Sequence, residues 1–106
     1  INGITTYIFD EIDAGISGET AKSVAHKFVT ISNQTQIIAV SHLPQVCAAA
    51  SSQFLISKSD VNAKTVTSVR KLSREERVAE LVRLTGSIST DAAKAHADEL
   101  LKQFNN

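Results

Sequence analysis

The sequence contains few of the residues that mark disulfide-rich or membrane proteins. Its 106 residues include one cysteine, one proline and four glycines, with no methionine or tryptophan. A single cysteine excludes an intrachain disulfide and is typical of a reducing compartment. Its apolar neighbours predict that Cys47 is a small buried hydrophobic side chain. No apolar run approaches the ~20 residues that cross a bilayer, and no signal-peptide pattern begins the chain, so we expect no membrane contact.

An excess of charge of one sign is also missing. Eleven basic residues balance eleven acidic ones, so the net charge does not favour a nucleic-acid or acidic partner. The segment 58–83 is mildly basic, with seven lysines and arginines against four acidic residues. So mixed a pattern favours a solvated surface over a DNA-binding face.

A glycine-rich phosphate-binding loop is the third absence. The sequence has no G-x-x-x-x-G-K-[ST] pattern, and its glycines do not cluster. Because such a loop and its lysine anchor a triphosphate, this chain alone should bind ATP poorly and hydrolyse it hardly at all. The chain begins at Ile1 without a methionine, and we interpret it as a fragment or processed piece.

What the sequence does contain is an alternation of strand and helix patterns. Residues 5–9 form an apolar strand pattern, apolar residues recur at helical spacing from Ser17, and residues 36–40 form a second β-prone run. This order predicts a parallel βαβ unit with a right-handed crossover. A short helix over 43–50 follows, with Pro44 in its first turn.

The second half predicts an antiparallel hairpin and two helices. Residues 54–57 and 65–72 are strand candidates separated by a turn at 59–62. Ser73 and Glu76 have the spacing of a capping box that opens a helix.

We expect Gly86 to end that helix. Ser89 or Thr90 should begin the last one. The predicted fold class is therefore α/β.

Polar side chains follow both strands of the predicted βαβ unit. Asp10, Glu11 and Asp13 come after the first strand, and Ser41 and His42 come after the second. The carboxyl ends of parallel strands share one sheet edge, where α/β sheets bind ligands. In nucleotide hydrolases a strand-end Asp holds Mg²⁺ and the next Glu polarises the attacking water, an arrangement called Walker B. The histidine could then hydrogen-bond a γ-phosphate or that water.

Other interpretations of these residues stay open. Asp10, Glu11 and Asp13 could form a carboxylate-only Mg²⁺ site of a phosphohydrolase, although the later strands offer few further ligands. A second alternative is an interaction module that self-associates through a sheet edge or exposed helices. His26 and His96 lie in amphipathic helices without ligand partners, which indicates structural or surface roles.

Four sequence blocks resemble one family across essentially the whole chain. They are TYIFDEIDAGISGETA, IIAVSHLPQVCAAA, KLSREERVAELVRLTG and AKAHADELL. Together they resemble the C-terminal part of the RecN family, bacterial DNA-repair ATPases related to the SMC and ABC families. The resemblance implies that residues 1–106 are the C-terminal lobe of a P-loop NTPase head. The Walker A lobe, the coiled coil and the signature motif of that family have no counterpart in these blocks.

The resemblance also implies roles for individual residues. Asp10 would be the Walker B residue that binds Mg²⁺, and Glu11 would be the catalytic carboxylate. Asp13 would be part of a D-loop that reaches the partner head. His42 would be the switch histidine. ATP and Mg²⁺ would bind only together with the N-terminal lobe, in a homodimer of two heads. The implied function is double-strand-break repair and recombination on DNA, in the bacterial cytoplasm at the nucleoid. We expect the fragment alone to be inactive.

Overall fold

The computed structural model describes residues 6–10, 13 and 15–106. Within them, strands and helices follow one another in the order expected of an α/β chain. The elements are β1 Thr6–Phe9, α1 Gly18–Ser32, β2 Gln36–Ala39, α2 Pro44–Ala49, β3 Phe54–Val61, β4 Lys64–Lys71, α3 Arg74–Leu84 and α4 Asp91–Gln103. None of the helices in this part of the chain is long and apolar enough to cross a membrane.

The predicted βαβ unit is present. Strands β1 and β2 pair in parallel, with Thr6 opposite Gln36 and Phe9 opposite Ala39. The backbone N–H of Val40 donates to the carbonyl of Phe9 at 2.9 Å, which extends the pairing one residue beyond β2. Both strands therefore end at the same edge of the sheet, as the sequence predicts.

Helix α1 joins these strands and packs against β2 and α2. Ser17 caps it, because its side-chain oxygen accepts from the N–H of Thr20. Ala21 and Ala25 are fully buried, and their small side chains allow close approach of the neighbouring elements. The ring of Phe28 lies 4.9 Å from that of Phe9 on β1, which ties the helix to the sheet.

Strands β3 and β4 form the predicted antiparallel hairpin, but its turn lies later than predicted. The turn falls at Asn62 and Ala63, which have φ angles of 50° and 62°, and not over 59–62. Two central residues with positive φ match the twist of a two-residue hairpin loop, so pairing continues up to the turn. Residues 59–61 thus belong to β3, and the hairpin is longer than the sequence indicates.

The hydrophobic core lies among α2, α3 and α4. Its buried members are Ala48, Leu81, Val82, Ala97 and Leu101, and the partly buried side chains around them are Cys47, Val78, Leu84, Ala93, Leu100 and Phe104. The core side chains of α3 and α4 fall on the apolar faces that helical spacing predicts. The hairpin contributes no member to this cluster.

The ends of α3 and α4 are fixed by local hydrogen bonds. The Ser73 hydroxyl accepts from the N–H of Glu76 at 3.2 Å, and the Glu76 carboxylate accepts from the N–H of Ser73 at 3.0 Å. Gly86, with φ +73°, follows the end of α3, in the left-handed conformation that glycine tolerates best. Thr90 caps α4 by accepting from the N–H of Ala93. These boundaries confirm the sequence predictions.

Candidate functional site

The candidate site occupies the edge where β1 and β2 end. Asp10 directly follows β1 and is exposed to solvent. His42 lies three residues beyond β2, in the segment that leads into α2. Because the two strands are parallel neighbours, Asp10 and His42 lie at one sheet edge, as predicted. Glu11, the predicted catalytic carboxylate, lies outside the described residues.

Asp13 makes the densest set of polar contacts at this edge. Its Oδ1 accepts from the hydroxyl of Ser41 at 2.8 Å. Its Oδ2 accepts from the backbone N–H of His42 at 2.6 Å and lies 2.6 Å from the Nδ1 atom of the same residue. The Asp13 side chain is only 9% exposed, whereas that of His42 is 79% exposed. The structure thus brings Asp13 to His42 and leaves most of the imidazole open to solvent.

Two local hydrogen bonds hold Asp13 and Ser41 in place. The N–H of Ile16 donates to the carbonyl of Asp13 at 3.3 Å and closes a turn in which Gly15 has φ +74°. A residue with a Cβ would be strained at that φ. On the other strand, the Ser41 hydroxyl accepts from the N–H of Leu43, the residue that caps α2. Ser41 therefore links Asp13 to the beginning of α2.

The other end of α2 is held by a buried arginine. Arg77 is 6% exposed, and its Nη2 donates to the carbonyls of Cys47 at 3.1 Å and Ala50 at 2.7 Å. Its Nε donates to the side-chain oxygen of Gln53 at 3.2 Å. Burial lowers the pKa of Arg77 from its usual value. The guanidinium still remains charged, because arginine does not deprotonate in proteins.

The sequence contained a signal for this role that composition alone obscures. Arg77 falls within the basic segment 58–83. It nevertheless lies four residues before Leu81, on the apolar face of α3. A charge within an apolar stripe indicates a buried, hydrogen-bonded group. Asn106 adds a second donor to the same end of α2, since its amide donates to the carbonyls of Ala48 at 2.6 Å and Ala50 at 2.9 Å.

Cys47 behaves as the sequence predicts, as a packed and unreactive thiol. Burial, followed by the negative charges of Asp13 and Glu80, raises the pKa of Cys47 to about 11, and the positive charge of Arg77 opposes this rise. Its Sγ lies 3.6 Å from the carbonyl of Ser41, as a weak donor. A thiol that stays protonated at neutral pH is not a nucleophile.

The two other histidines lie in helices away from the sheet edge. His26 and His96 are both exposed. The ring of His26 lies 5.0 Å from that of Phe104, near the end of α4. This placement agrees with the surface or structural role expected for each.

Part of the positive charge in the basic segment is neutralised locally. Three of its arginines form exposed ion pairs, namely Arg70 with Glu76, Arg74 with Asp98 and Arg83 with Glu80. Each such pair contributes little to stability, but it removes a free cation from the surface. The remaining positive groups of the segment are the buried Arg77 and three lysines on the hairpin, Lys58, Lys64 and Lys71.

Among the described residues at this edge, Asp10 is the side chain suited to a Mg²⁺ ion that also binds a nucleotide. Within the described residues, no three His, Cys, Asp or Glu side chains gather closely enough to hold a metal ion. Mg²⁺ in nucleotide sites takes one or two carboxylates and completes its shell with waters and phosphates. The exposed carboxylate of Asp10 at the strand end fits that requirement.

Comparison with known proteins finds related sequences and a solved structure with a similar fold. No protein-family model matches the chain. The chain is 44% identical over 100 residues to the DNA repair protein RecN of Halalkalibacterium halodurans, which covers 93% of this chain and 18% of that protein. It is 43% identical over 101 residues to the RecN of Bacillus subtilis and 45% identical over 101 residues to that of Haemophilus influenzae, covering 94% of this chain and 18% of each relative.

The matched segment belongs to the C-terminal part of those relatives. The chain therefore spans about a fifth of their length. Among solved structures, the fold resembles an SMC ATPase described for its ATP-driven dimerization and DNA-stimulated activation. That match has a TM-score of 0.63 and 24% identity, and it covers 84% of this chain and 52% of that one. It supports the partial ABC/SMC-type head fold expected from the sequence.

Proposed function

Because this chain belongs to the RecN family of DNA repair proteins, we propose that residues 1–106 are the C-terminal lobe of an ATPase head that acts in DNA double-strand-break repair and recombination. The observation that carries this proposal is the shared sheet edge. Asp10 and His42 follow neighbouring parallel strands, within the two sequence blocks that most resemble the family. A water-activating half of a nucleotide site needs its polar groups at that edge.

Each residue at the edge has a proposed role. Asp10 binds Mg²⁺, directly or through water, and Glu11 orients and polarises the attacking water. His42 hydrogen-bonds the γ-phosphate with its exposed imidazole. Mg²⁺, when bound, neutralises phosphate charge. The chain's own residues supply one side of the site, and a phosphate-binding loop must supply the other.

We propose that the N-terminal lobe of the same protein supplies that loop and covers the small sheet. Parallel sheets are normally buried on both faces. Here Ile8 on β1 is 72% exposed and Ile38 on β2 is 47% exposed. A second head would complete the site in a homodimer that engages DNA, and the protein would act in the bacterial cytoplasm at the nucleoid.

The proposal is tested by restoring the missing lobe. This chain is co-expressed with the N-terminal lobe of its protein, and Mg²⁺-dependent ATP hydrolysis is measured for the wild type and for Glu11→Gln and His42→Ala. We expect each substitution to lower kcat by at least about 100-fold, as loss of a positioned acid–base group does. The exposed α4 residues Glu99 and His96 provide matched controls, Glu99→Gln and His96→Ala, which should retain activity.

Two results would reject the role assignment or the function. Unchanged hydrolysis in both Glu11→Gln and His42→Ala would reject the assigned roles. Mg²⁺-dependent hydrolysis of phosphate esters by this chain alone would favour the carboxylate–Mg²⁺ phosphohydrolase instead.

A second candidate function, a self-associating interaction module, is favoured by the surface of the hairpin. Phe54, Ile56 and Val69 are 57%, 55% and 64% exposed, and Ile56 lies directly opposite Val69 in the pairing register. An apolar patch of this kind on a two-stranded sheet favours association. Both functions can hold for one chain, because the patch lies on a different sheet from the candidate site.

A further inference from the structure

One carboxylate, that of Asp13, serves both the backbone and the imidazole of His42. We propose that Asp13 is a positioning residue that acts within its own chain: it fixes His42 so that Nε2 is the ring nitrogen left for a ligand. The family resemblance gives Asp13 a different role, reaching toward a partner head. The inference depends on the proposed function only where it concerns ATP, since the state of the imidazole can be measured without nucleotide.

The contacts of Asp13 leave it little capacity for another partner. Ser41 donates to Oδ1, the backbone N–H of His42 donates to Oδ2, and Nδ1 of His42 lies 2.6 Å from the same oxygen. An ionised carboxylate offers about four acceptor positions; two accept hydrogen bonds here, and the imidazole lies against a third. The two hydrogen bonds, at 2.8 and 2.6 Å, have the short distances typical of a charged acceptor. With 9% of its side chain exposed, Asp13 could reach a second chain only by breaking these bonds.

The contact with Nδ1 determines which ring nitrogen is free. An ionised carboxylate cannot donate, and at 2.6 Å from Oδ2 a lone pair on Nδ1 would face the lone pairs of that oxygen, so we infer that Nδ1 carries a hydrogen. In neutral His42 the lone pair is then on Nε2, and in the protonated form Nε2 becomes a donor. In either form Nε2 is the nitrogen that meets a ligand. Without Asp13, an imidazole that is 79% exposed would have no described partner to fix its tautomer.

Ser41 keeps the carboxylate in the required orientation. Its hydroxyl donates to Oδ1 of Asp13 while accepting from the N–H of Leu43 at 3.0 Å. The hydroxyl hydrogen is therefore directed toward Asp13, because its acceptor side is occupied by a backbone donor. Ser41 supports Asp13 in this way, and Asp13 in turn holds His42.

The test measures the tautomer of His42 by long-range ¹H–¹⁵N NMR of the 106-residue chain at pH 8, with the resonances assigned by His42→Ala. We expect the Nδ1–H tautomer in the wild type. Asp13→Asn keeps the size of the side chain but cannot accept three hydrogen bonds, so its signals should move toward the Nε2–H tautomer. Asp60→Asn, at an exposed carboxylate near the hairpin turn, is the matched control and should leave His42 unchanged.

Two outcomes would overturn the proposal. One is a wild-type His42 that is mainly the Nε2–H tautomer, a measurement that requires no variant to fold. The other is a folded Asp13→Asn chain with the same His42 signals as the wild type.

A second readout uses the chain co-expressed with the N-terminal lobe. Asp13→Asn should lower kcat for ATP by at least about tenfold, while KM changes less than about twofold because the phosphate loop anchors the nucleotide. Ser41→Ala should give the same pattern with a smaller loss. Failure of the proposed function is seen separately, as an inactive wild-type assembly with the Nδ1–H tautomer intact. Loss of ATP-dependent dimerisation in Asp13→Asn with an unchanged tautomer would instead place Asp13 in the interface between heads and refute the proposal.

Discussion

At the scale of single residues, two buried or nearly buried charges organise the short helix α2. Asp13 and Ser41 act at the segment that leads into this helix, and Arg77 acts at its C-terminal end. Six residues of helix would not be stable by themselves. The position of His42 thus depends on tertiary hydrogen bonds at both ends of the helix that follows it.

Replacing the buried arginine should cost far more stability than replacing an exposed one on the same helix. Arg77→Met removes the donor to the carbonyls of Cys47 and Ala50 and to the side-chain oxygen of Gln53 in a buried site. Ala50 keeps a second donor, the amide of Asn106. We expect the free energy of unfolding to fall by about 2–3 kcal/mol. Arg83→Met, which removes a 66% exposed side chain from its ion pair with Glu80, should cost less than about 1 kcal/mol.

Urea unfolding followed by circular dichroism measures both variants. Equal losses of stability in the two would show that the burial of Arg77 is of no energetic importance.

At the scale of elements, helix α3 has a first turn in which side chains satisfy backbone donors reciprocally, through a capping box. Hydrogen bonds from Arg70 and then from Ser73 lower the pKa of Glu76 to about 2, from a usual value of 4.5. The folded state therefore favours the ionised carboxylate. The capping box thus makes the stability of α3 dependent on pH in acid.

The stability that Glu76 contributes should be fully present above pH 4.5 and should disappear as the pH falls toward 2, because the depressed pKa belongs to the folded state. Glu76→Gln cannot ionise, so its stability should fall less steeply between pH 4.5 and 2 than that of the wild type. Glu75→Gln, the adjacent exposed residue in the first turn, serves as the control and should follow the wild-type slope. Acid titration of the urea midpoint measures the difference, and parallel curves for all three proteins would contradict it.

At the scale of the whole molecule, the chain is more extended than its mass predicts. Its radius of gyration is 15.0 Å, against about 13 Å for a compact domain of this length. Its accessible surface is 7515 Å², against about 5,800 Å² for a compact monomer of this mass. The hairpin accounts for part of the excess, since every residue of β4 and all but Leu55 of β3 are exposed. A two-stranded hairpin has little stability without a covering partner.

The isolated chain should therefore self-associate through the hairpin. We expect light scattering after size exclusion to show an apparent mass that rises with concentration, and the double variant Ile56→Thr, Val69→Thr to reduce this rise. Ile88→Thr removes an apolar side chain that is 84% exposed between α3 and α4 and should leave association unchanged. A strictly monomeric wild type at high concentration would count against association, and an equal effect of Ile88→Thr would count against the hairpin as its site.

The elements were largely predictable because their signals are local. Ser17, Ser73 and Thr90 cap the three longer helices, and the apolar spacing within each helix matches its buried face. The hairpin turn was misplaced because the polar residues 59–61 resemble a loop, whereas backbone conformation at Asn62 and Ala63 decided where the chain reverses. Composition favoured a turn at residues 59–62, whereas the twist of the paired strands favoured a turn at Asn62 and Ala63.

The sequence by itself determined the order of the elements, the strand ends that present Asp10 and His42, and the family to which the chain belongs. These features follow from periodicity, capping and short motifs, which depend on neighbours within a few residues. Only the tertiary structure decided that Asp13 holds His42 and which carbonyls of α2 the buried Arg77 binds. Those contacts join residues 28 to 30 positions apart in the chain. Their geometry depends on how β1, β2, α2 and α3 pack, and no local pattern specifies that packing.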